Sequence, residues 1–134
     1  MERTKPLILT VDDEQAFLEI ISTKLNSCGF ETAVAHNGAE GVAETEKLMP
    51  DLVLMDISMP GGTGTDAALA IKQNPKTKDI KIAFFTSMQD PWPAVDGDKK
   101  KLTQALGMED FLQKTEDLEI IVGKIKEILS RKPA

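Results

Sequence analysis

The residues of this chain best suited to chemistry are acids that each follow an apolar run. Asp12, Asp13 and Glu14 come directly after the first such run, and a later run ends immediately before Asp56. Carboxylates within a few ångströms of one another repel, so their pKa values rise unless a cation lies between them. Oxygen ligands of this kind suit Mg²⁺ better than Zn²⁺, and His36 is the single histidine. The acidic set therefore favours a magnesium site.

A hydroxyl and an ammonium group lie at the ends of two further apolar runs. Thr86 ends the fourth apolar run, and Lys114 follows the fifth. Each residue has an ordinary explanation on its own, since Thr is common in strands and Asp12 with Asp13 could simply cap the next helix. Their joint occurrence at successive run ends is what favours a site. Carboxylates with Mg²⁺ can grip a phosphoryl group, and an Asp can be its nucleophilic acceptor.

These residues need a fold that brings distant run ends together. Five short apolar runs alternate with stretches of helical spacing, which implies right-handed crossovers and a parallel sheet covered by helices on both faces. Strands are predicted at 6–11, 31–35, 51–55, 80–86 and 110–113, and helices near 17–28, 39–48, 65–73, 99–106 and 118–129. Ligands bind beyond the carboxyl ends of the strands in such a sheet. The sequence thus predicts an α/β fold whose polar run ends share one edge.

Length and charge narrow the class of protein. The chain has 134 residues with 16 basic and 22 acidic side chains, giving a formal net charge of -6. One domain over residues 1–134 is expected, and the acidic balance argues against binding nucleic acid by phosphate neutralisation.

Because Cys28 is the only cysteine, a reducing, cytoplasmic compartment is expected. No apolar run reaches the length of a membrane span, so no membrane partner is expected.

Four ordered motifs carry a family resemblance over essentially the whole chain. They are Leu9-Thr-Val-Asp-Asp-Glu14, Asp51-Leu-Val-Leu-Met-Asp-Ile-Ser-Met-Pro60 with Gly64, Phe84-Phe-Thr-Ser87, and Asp110-Phe-Leu-Gln-Lys114. On these motifs the chain resembles a response-regulator receiver domain of two-component signalling, of the single-domain, chemotaxis-regulator-like kind. The resemblance implies a doubly wound, flavodoxin-like sheet of five parallel strands in the order 2-1-3-4-5 with five helices.

The resemblance also implies a metal site and a phosphoacceptor. Asp56 resembles the aspartate that takes a phosphoryl group from a phosphohistidine partner. Asp13 and Asp56 would bind Mg²⁺ directly, with the main-chain carbonyl of Ser58 as the third protein ligand. Asp12 would act mainly through a metal-bound water.

Further roles concern the phosphoryl oxygens and the output. Thr86 and Lys114 would each contact a phosphoryl oxygen, and Phe111 resembles the aromatic switch that follows Thr86. The phosphoryl donor would be a sensor histidine kinase or a histidine phosphotransfer protein, and the downstream partner would be a protein. The chain would catalyse only its own phosphorylation and dephosphorylation, so it is not expected to be a conventional enzyme. No output domain is expected after the last helix.

Departures from the family pattern keep one alternative open. Thr115 stands where the family usually has a proline after a cis peptide bond, and residues 89–107 make the segment before Lys114 longer than usual. The alternative is a degenerate receiver that acts as an interaction scaffold without phosphorylation. A dehalogenase-like phosphatase is disfavoured, because its second carboxylate would fall at Ser58. A flavodoxin-like cofactor carrier is disfavoured, because acids occupy the loop that would cradle a phosphate.

Overall fold

The computed structural model describes residues 5–56, 64–86, 110–114 and 116–131, with backbone alone at residues 64, 65, 86, 110 and 111. The strands are β1 (Leu7–Val11), β2 (Glu31–Ala35), β3 (Leu52–Asp56), β4 (Lys81–Thr86) and β5 (Asp110–Gln113). The helices in this part of the chain are α1 (Gln15–Ser27), α2 (Gly38–Leu48), α3 (Gly64–Gln73) and α4 (Leu118–Ser130).

The five strands form one parallel sheet in the order β2-β1-β3-β4-β5. This confirms the predicted fold class and strand order. The described residues contain four helices, one fewer than expected, because the helix predicted at 99–106 lies outside them. None of these four combines the length and the apolar character that crossing a bilayer requires.

Local signals in the sequence set the helix ends. The side chain of Asn37 accepts a hydrogen bond from the backbone N–H of Glu40 at 2.8 Å and so caps the start of α2. Asp117 accepts from the N–H of Glu119 at 2.8 Å and caps α4. Gly29, with a φ of 92°, occupies the left-handed region just after α1, where glycine adds no steric cost.

Two apolar layers hold the sheet, one on each face. Side chains of β1, β3 and β4 alternate between them, so Leu52 and Leu54 enter one layer while Val53 and Met55 enter the other. The first layer packs against α1 and α4, and the second packs against α3. Full burial of a Leu, Ile or Phe side chain contributes about 1.5–3 kcal/mol relative to exposure. Helices therefore cover both faces of the sheet, and the ends of the strands are where polar residues can lie.

Candidate functional site

Strand register brings the predicted site residues to one edge of the sheet. Val11 of β1 pairs with Met55 of β3. The residues that follow them in the chain, Asp12 and Asp56, therefore lie at the same level. On the far side, the last residues of β4 and β5 are also paired. Lys114 follows β5 directly, so it lies at the same edge although it is far from Asp12 and Asp56 in the sequence.

Three carboxylates converge at this edge. Oxygen atoms of Asp12, Asp13 and Asp56 all lie within 4.8 Å of one another. The side chain of Asp12 is completely buried and that of Asp56 is nearly so, whereas Asp13 is exposed. The backbone two residues further on fixes the Asp12 side chain, because Oδ1 accepts from the N–H of Glu14 at 2.9 Å. A cluster of hard oxygen donors with one open side fits a divalent cation such as Mg²⁺.

Lys114 supplies the positive charge of the cluster. Its Nζ lies 2.5 Å from Oδ2 of Asp12, 2.8 Å from Oε1 of Glu14 and 3.5 Å from Oδ2 of Asp56. Only 7% of the lysine side chain is exposed, against 61% for Glu14. The ammonium therefore pairs with two buried carboxylates and one in solvent.

The pKa values of the paired groups reflect this crowding. Burial raises the pKa of Asp12, and the negative charge of Asp56 adds to the rise, while Lys114 and the N–H of Glu14 oppose it. Burial lowers the pKa of Lys114, but its hydrogen bonds to Asp12 and Glu14 outweigh that effect and the net change is upward. The lysine stays charged at neutral pH. Among the residues that the structure describes, the carboxylates of Asp12, Asp13, Glu14 and Asp56 outnumber it, and a metal ion would neutralise the excess negative charge.

Two residues of this site had no assigned role in the sequence reasoning. Glu14, the third acid after β1, is a direct partner of Lys114. Phe17 begins the first predicted helix and packs against the apolar layer, and its ring centre lies 4.8 Å from Nζ of Lys114. The signal for Phe17 is its position one helical turn after Asp13, which points it back toward the end of β1.

The comparisons with known proteins agree with this geometry. A family model described as the response regulator receiver domain matches residues 8–126. The chain belongs to the response regulator receiver domain family. It is a phosphoacceptor signalling module, and receiver domains of this family are not conventional enzymes. They typically bind Mg²⁺ at an acidic cluster and pair with histidine kinases or phosphotransfer proteins.

Individual relatives lie at moderate sequence identity. The chain is 31% identical over 124 residues to the phosphate regulon transcriptional regulatory protein PhoB of Pseudomonas aeruginosa, covering 92% of this chain and 52% of PhoB. The chemotaxis response regulator CheY4 of Vibrio cholerae matches in structure with a TM-score of 0.81 and 26% identity, covering 93% of this chain and 99% of CheY4.

A receiver domain from a signal transduction histidine kinase of Syntrophus aciditrophicus also matches, with a TM-score of 0.78, 26% identity and coverage of 93% of this chain and 90% of that one. The chain spans about half the length of the curated relatives that it matches, such as PhoB and the DNA-binding response regulator MtrA of Mycolicibacterium smegmatis.

The structure brings together four of the predicted receiver residues, namely Asp12, Asp13, Asp56 and Lys114. Thr86 is the last residue of β4, next to Gln113 of β5. The side chains of Thr86 and Phe111 lie outside the described part of the structure. Ser58, Thr115, the Lys114–Thr115 bond and the segment 89–107 also lie outside it, so their roles stay predictions.

Proposed function

We propose that Asp56 is the phosphoacceptor of this receiver domain. The observation that carries the proposal is the convergence of the nearly buried Asp56 carboxylate with Asp12, Asp13 and the Lys114 ammonium. In the reaction, a carboxylate oxygen of Asp56 attacks the phosphorus of a phosphohistidine on a partner protein. The phosphorus–nitrogen bond breaks and the imidazole leaves with its electron pair, so the phosphoryl group ends on the aspartate.

The acidic cluster is the proposed place for Mg²⁺. Asp13 and Asp56 would bind the ion directly, the main-chain carbonyl of Ser58 would be the third protein ligand, and Asp12 would act through a water. When bound, the ion neutralises negative charge on the phosphoryl oxygens and on the acids around them. The burial of Asp12 and Asp56 supports this assignment, because two buried carboxylates side by side need a cation.

Lys114 and Thr86 complete the proposed clamp. The Lys114 ammonium lies 3.5 Å from Oδ2 of Asp56, so a phosphoryl oxygen on that carboxylate comes within its reach. Thr86 would contact another phosphoryl oxygen, and Phe111 would follow its movement as the switch. Dephosphorylation by water at the same site would return the domain to its resting state.

The proposed donor is a sensor histidine kinase or a histidine phosphotransfer protein, and the proposed compartment is the cytoplasm. The kinase receiver of Syntrophus aciditrophicus supports the choice of donor. PhoB is named as a transcriptional regulatory protein and MtrA as a DNA-binding response regulator, but the chain spans about half of each. We propose that this domain itself acts on a protein partner and does not bind nucleic acid.

Intact mass after incubation with Mg²⁺ and acetyl phosphate tests the assignment. Wild type is expected to gain a single phosphoryl group, Asp56→Asn is expected to gain none, and omission of Mg²⁺ is expected to abolish the gain. Asp79→Asn, at an exposed aspartate after α3, is the matched control and is expected to behave like wild type.

The same experiment distinguishes the scaffold alternative, which the family match does not favour. Adduct formation in Asp56→Asn would reject Asp56 as the acceptor. A wild-type protein that gains no phosphoryl group from either acetyl phosphate or a phosphorylated histidine phosphotransfer protein would support the scaffold.

A further inference from the structure

Lys114 has an aromatic neighbour as well as its acidic partners. Its ammonium lies over the ring of Phe17, with 4.8 Å between Nζ and the ring centre. A cation at this distance over an aromatic face is attracted by the electron density of the ring, and the attraction grows as water is excluded. The lysine side chain is only 7% exposed, so the contact is largely desolvated.

The Phe17 ring is itself held in a fixed orientation. It meets the ring of Phe85 edge to face, with 5.1 Å between centres and 82° between planes. Phe85 is completely buried in the layer between the sheet and the helices α1 and α4. The ring that faces Lys114 is therefore oriented by the core of the protein.

An oriented ring matters because three carboxylates compete for one ammonium. Glu14 pulls the ammonium toward solvent, while Asp12 and Asp56 hold it at the strand ends. The ring face accepts no strong hydrogen bond, so contact with Phe17 leaves the lysine N–H groups directed at carboxylate oxygens. Attraction to the ring also restricts how far the ammonium can follow the exposed Glu14 side chain.

We propose that Phe17 is a positioning residue for Lys114, keeping its ammonium beside Asp56, where the incoming phosphoryl group must be met. The inference rests on the proposed function of Asp56. It adds a second link, because Phe85 directly precedes Thr86. The Phe17 ring thus contacts both Lys114 and Phe85, the residue before the end of β4.

Phe17→Leu tests the proposal, because leucine keeps the apolar contact but removes the ring. Phosphorylation by acetyl phosphate at saturating Mg²⁺ is expected to slow about fivefold, in the range that a partly buried cation–aromatic contact supports. Phe17→Tyr restores the ring face and is expected to recover most of the rate. Phe30→Leu, in the same apolar layer, is the matched control and is expected to lower stability without changing this rate.

A double-mutant cycle separates positioning from general destabilisation. In a Lys114→Gln background, Phe17→Leu is expected to cause no further slowing, because the ammonium that the ring positions is gone. Equal slowing with and without the lysine would overturn the proposal, and so would a wild-type rate in Phe17→Leu.

A measurement on the unmodified protein keeps the test independent of folding defects and of phosphorylation. The Lys114 ε-methylene protons are expected to be shifted upfield in the NMR spectrum by the Phe17 ring current. Ordinary lysine shifts would reject the contact even if Asp56 is phosphorylated as proposed. Upfield shifts in a protein that takes up no phosphoryl group would support the contact and reject only the proposed function.

Discussion

Aspartate and lysine side chains lie at both edges of the sheet, but their interaction partners differ between the two edges. At the amino edge, Oδ2 of Asp51 accepts from the backbone N–H of Leu7 at 2.7 Å. Lys81 donates to the carbonyls of Ile128 and Arg131 at the end of α4, at 2.9 and 2.5 Å. The backbone thus supplies counter-groups for both charged side chains, and they join β3 to β1 and β4 to α4.

At the carboxyl edge the charged side chains depend on one another. Among the described residues, Asp12, Glu14 and Asp56 contact the ammonium of Lys114, and Asp13 lies beside Asp12 and Asp56. Negative charge remains in excess there, and burial raises the pKa of Asp12. The difference teaches that a charged residue at a strand end has a structural role when its hydrogen bonds go to backbone groups. It is available for chemistry when its partners are other side chains that an ion or ligand can replace.

The largest expected effect comes from removing the shared ammonium with Lys114→Met. Leaving buried carboxylates without their cation is strongly destabilising; because this cluster is open to solvent on one side, we expect a loss of about 2 kcal/mol in free energy of unfolding. Mg²⁺ should bind roughly tenfold more tightly, since its competitor for the acids is gone. Urea unfolding in EDTA and a Mg²⁺ titration measure the two quantities.

Lys126→Met is the matched control for that variant, because Lys126 is exposed on α4. It should leave both quantities close to wild type. A Lys114→Met protein with unchanged Mg²⁺ affinity would show that the lysine and the metal do not compete.

A smaller effect is expected at the opposite edge from Lys81→Met. The variant loses the hydrogen bonds that satisfy the last carbonyls of α4, and we expect about 1 kcal/mol less stability. Mg²⁺ affinity and the rate of phosphorylation should not change, since this lysine lies at the other end of the strands. A change in either would contradict the separation of the two edges, and urea unfolding with the Mg²⁺ titration decides it.

The smallest expected effect is a pH dependence that Asp12→Asn removes. The pKa of Asp12 is raised above its usual 3.8 in the folded protein. Its contribution to stability is therefore fully present below the usual pKa and is lost as pH rises through the raised value. Without divalent metal, Asp12→Asn should be more stable than wild type at neutral pH, and the advantage should disappear on acidification. Urea unfolding in EDTA between about pH 4 and pH 7 tests this; a neutral-pH advantage that persists in acid would contradict it.

Much of the fold was predictable because β1 and β3 are buried along their whole length, as are most of the described side chains of β4. Such strands are nearly continuous apolar runs, and the predicted strand ends agree with the structure to within one residue. The shift at β3, from 51–55 to 52–56, has a physical reason. Asp51 turns its carboxylate back to the N–H of Leu7 before the strand begins, whereas Asp56 still pairs with β4 opposite Phe85.

The contacts within the site were less predictable than its residues. The rule that ligands bind at the carboxyl ends of parallel strands selects Asp12, Asp56 and Lys114 from the sequence alone. Which acids the lysine contacts depends on side-chain conformations across 58 and 100 residues of separation, and hydrophobic periodicity carries no such information. Phe17 was missed for a related reason, since its spacing is that of any core-facing helix residue.

The contact between Glu14 and Lys114 also has a consequence for how the chain acquires its activity. The two residues are separated by 100 positions, and contacts of such long range are slow to form during folding. During synthesis on a ribosome, the acids that follow β1 and end β3 emerge well before Lys114, so the ion pairs with Lys114 form late. The role proposed for Lys114 therefore implies that phosphorylation begins only after β5 has docked.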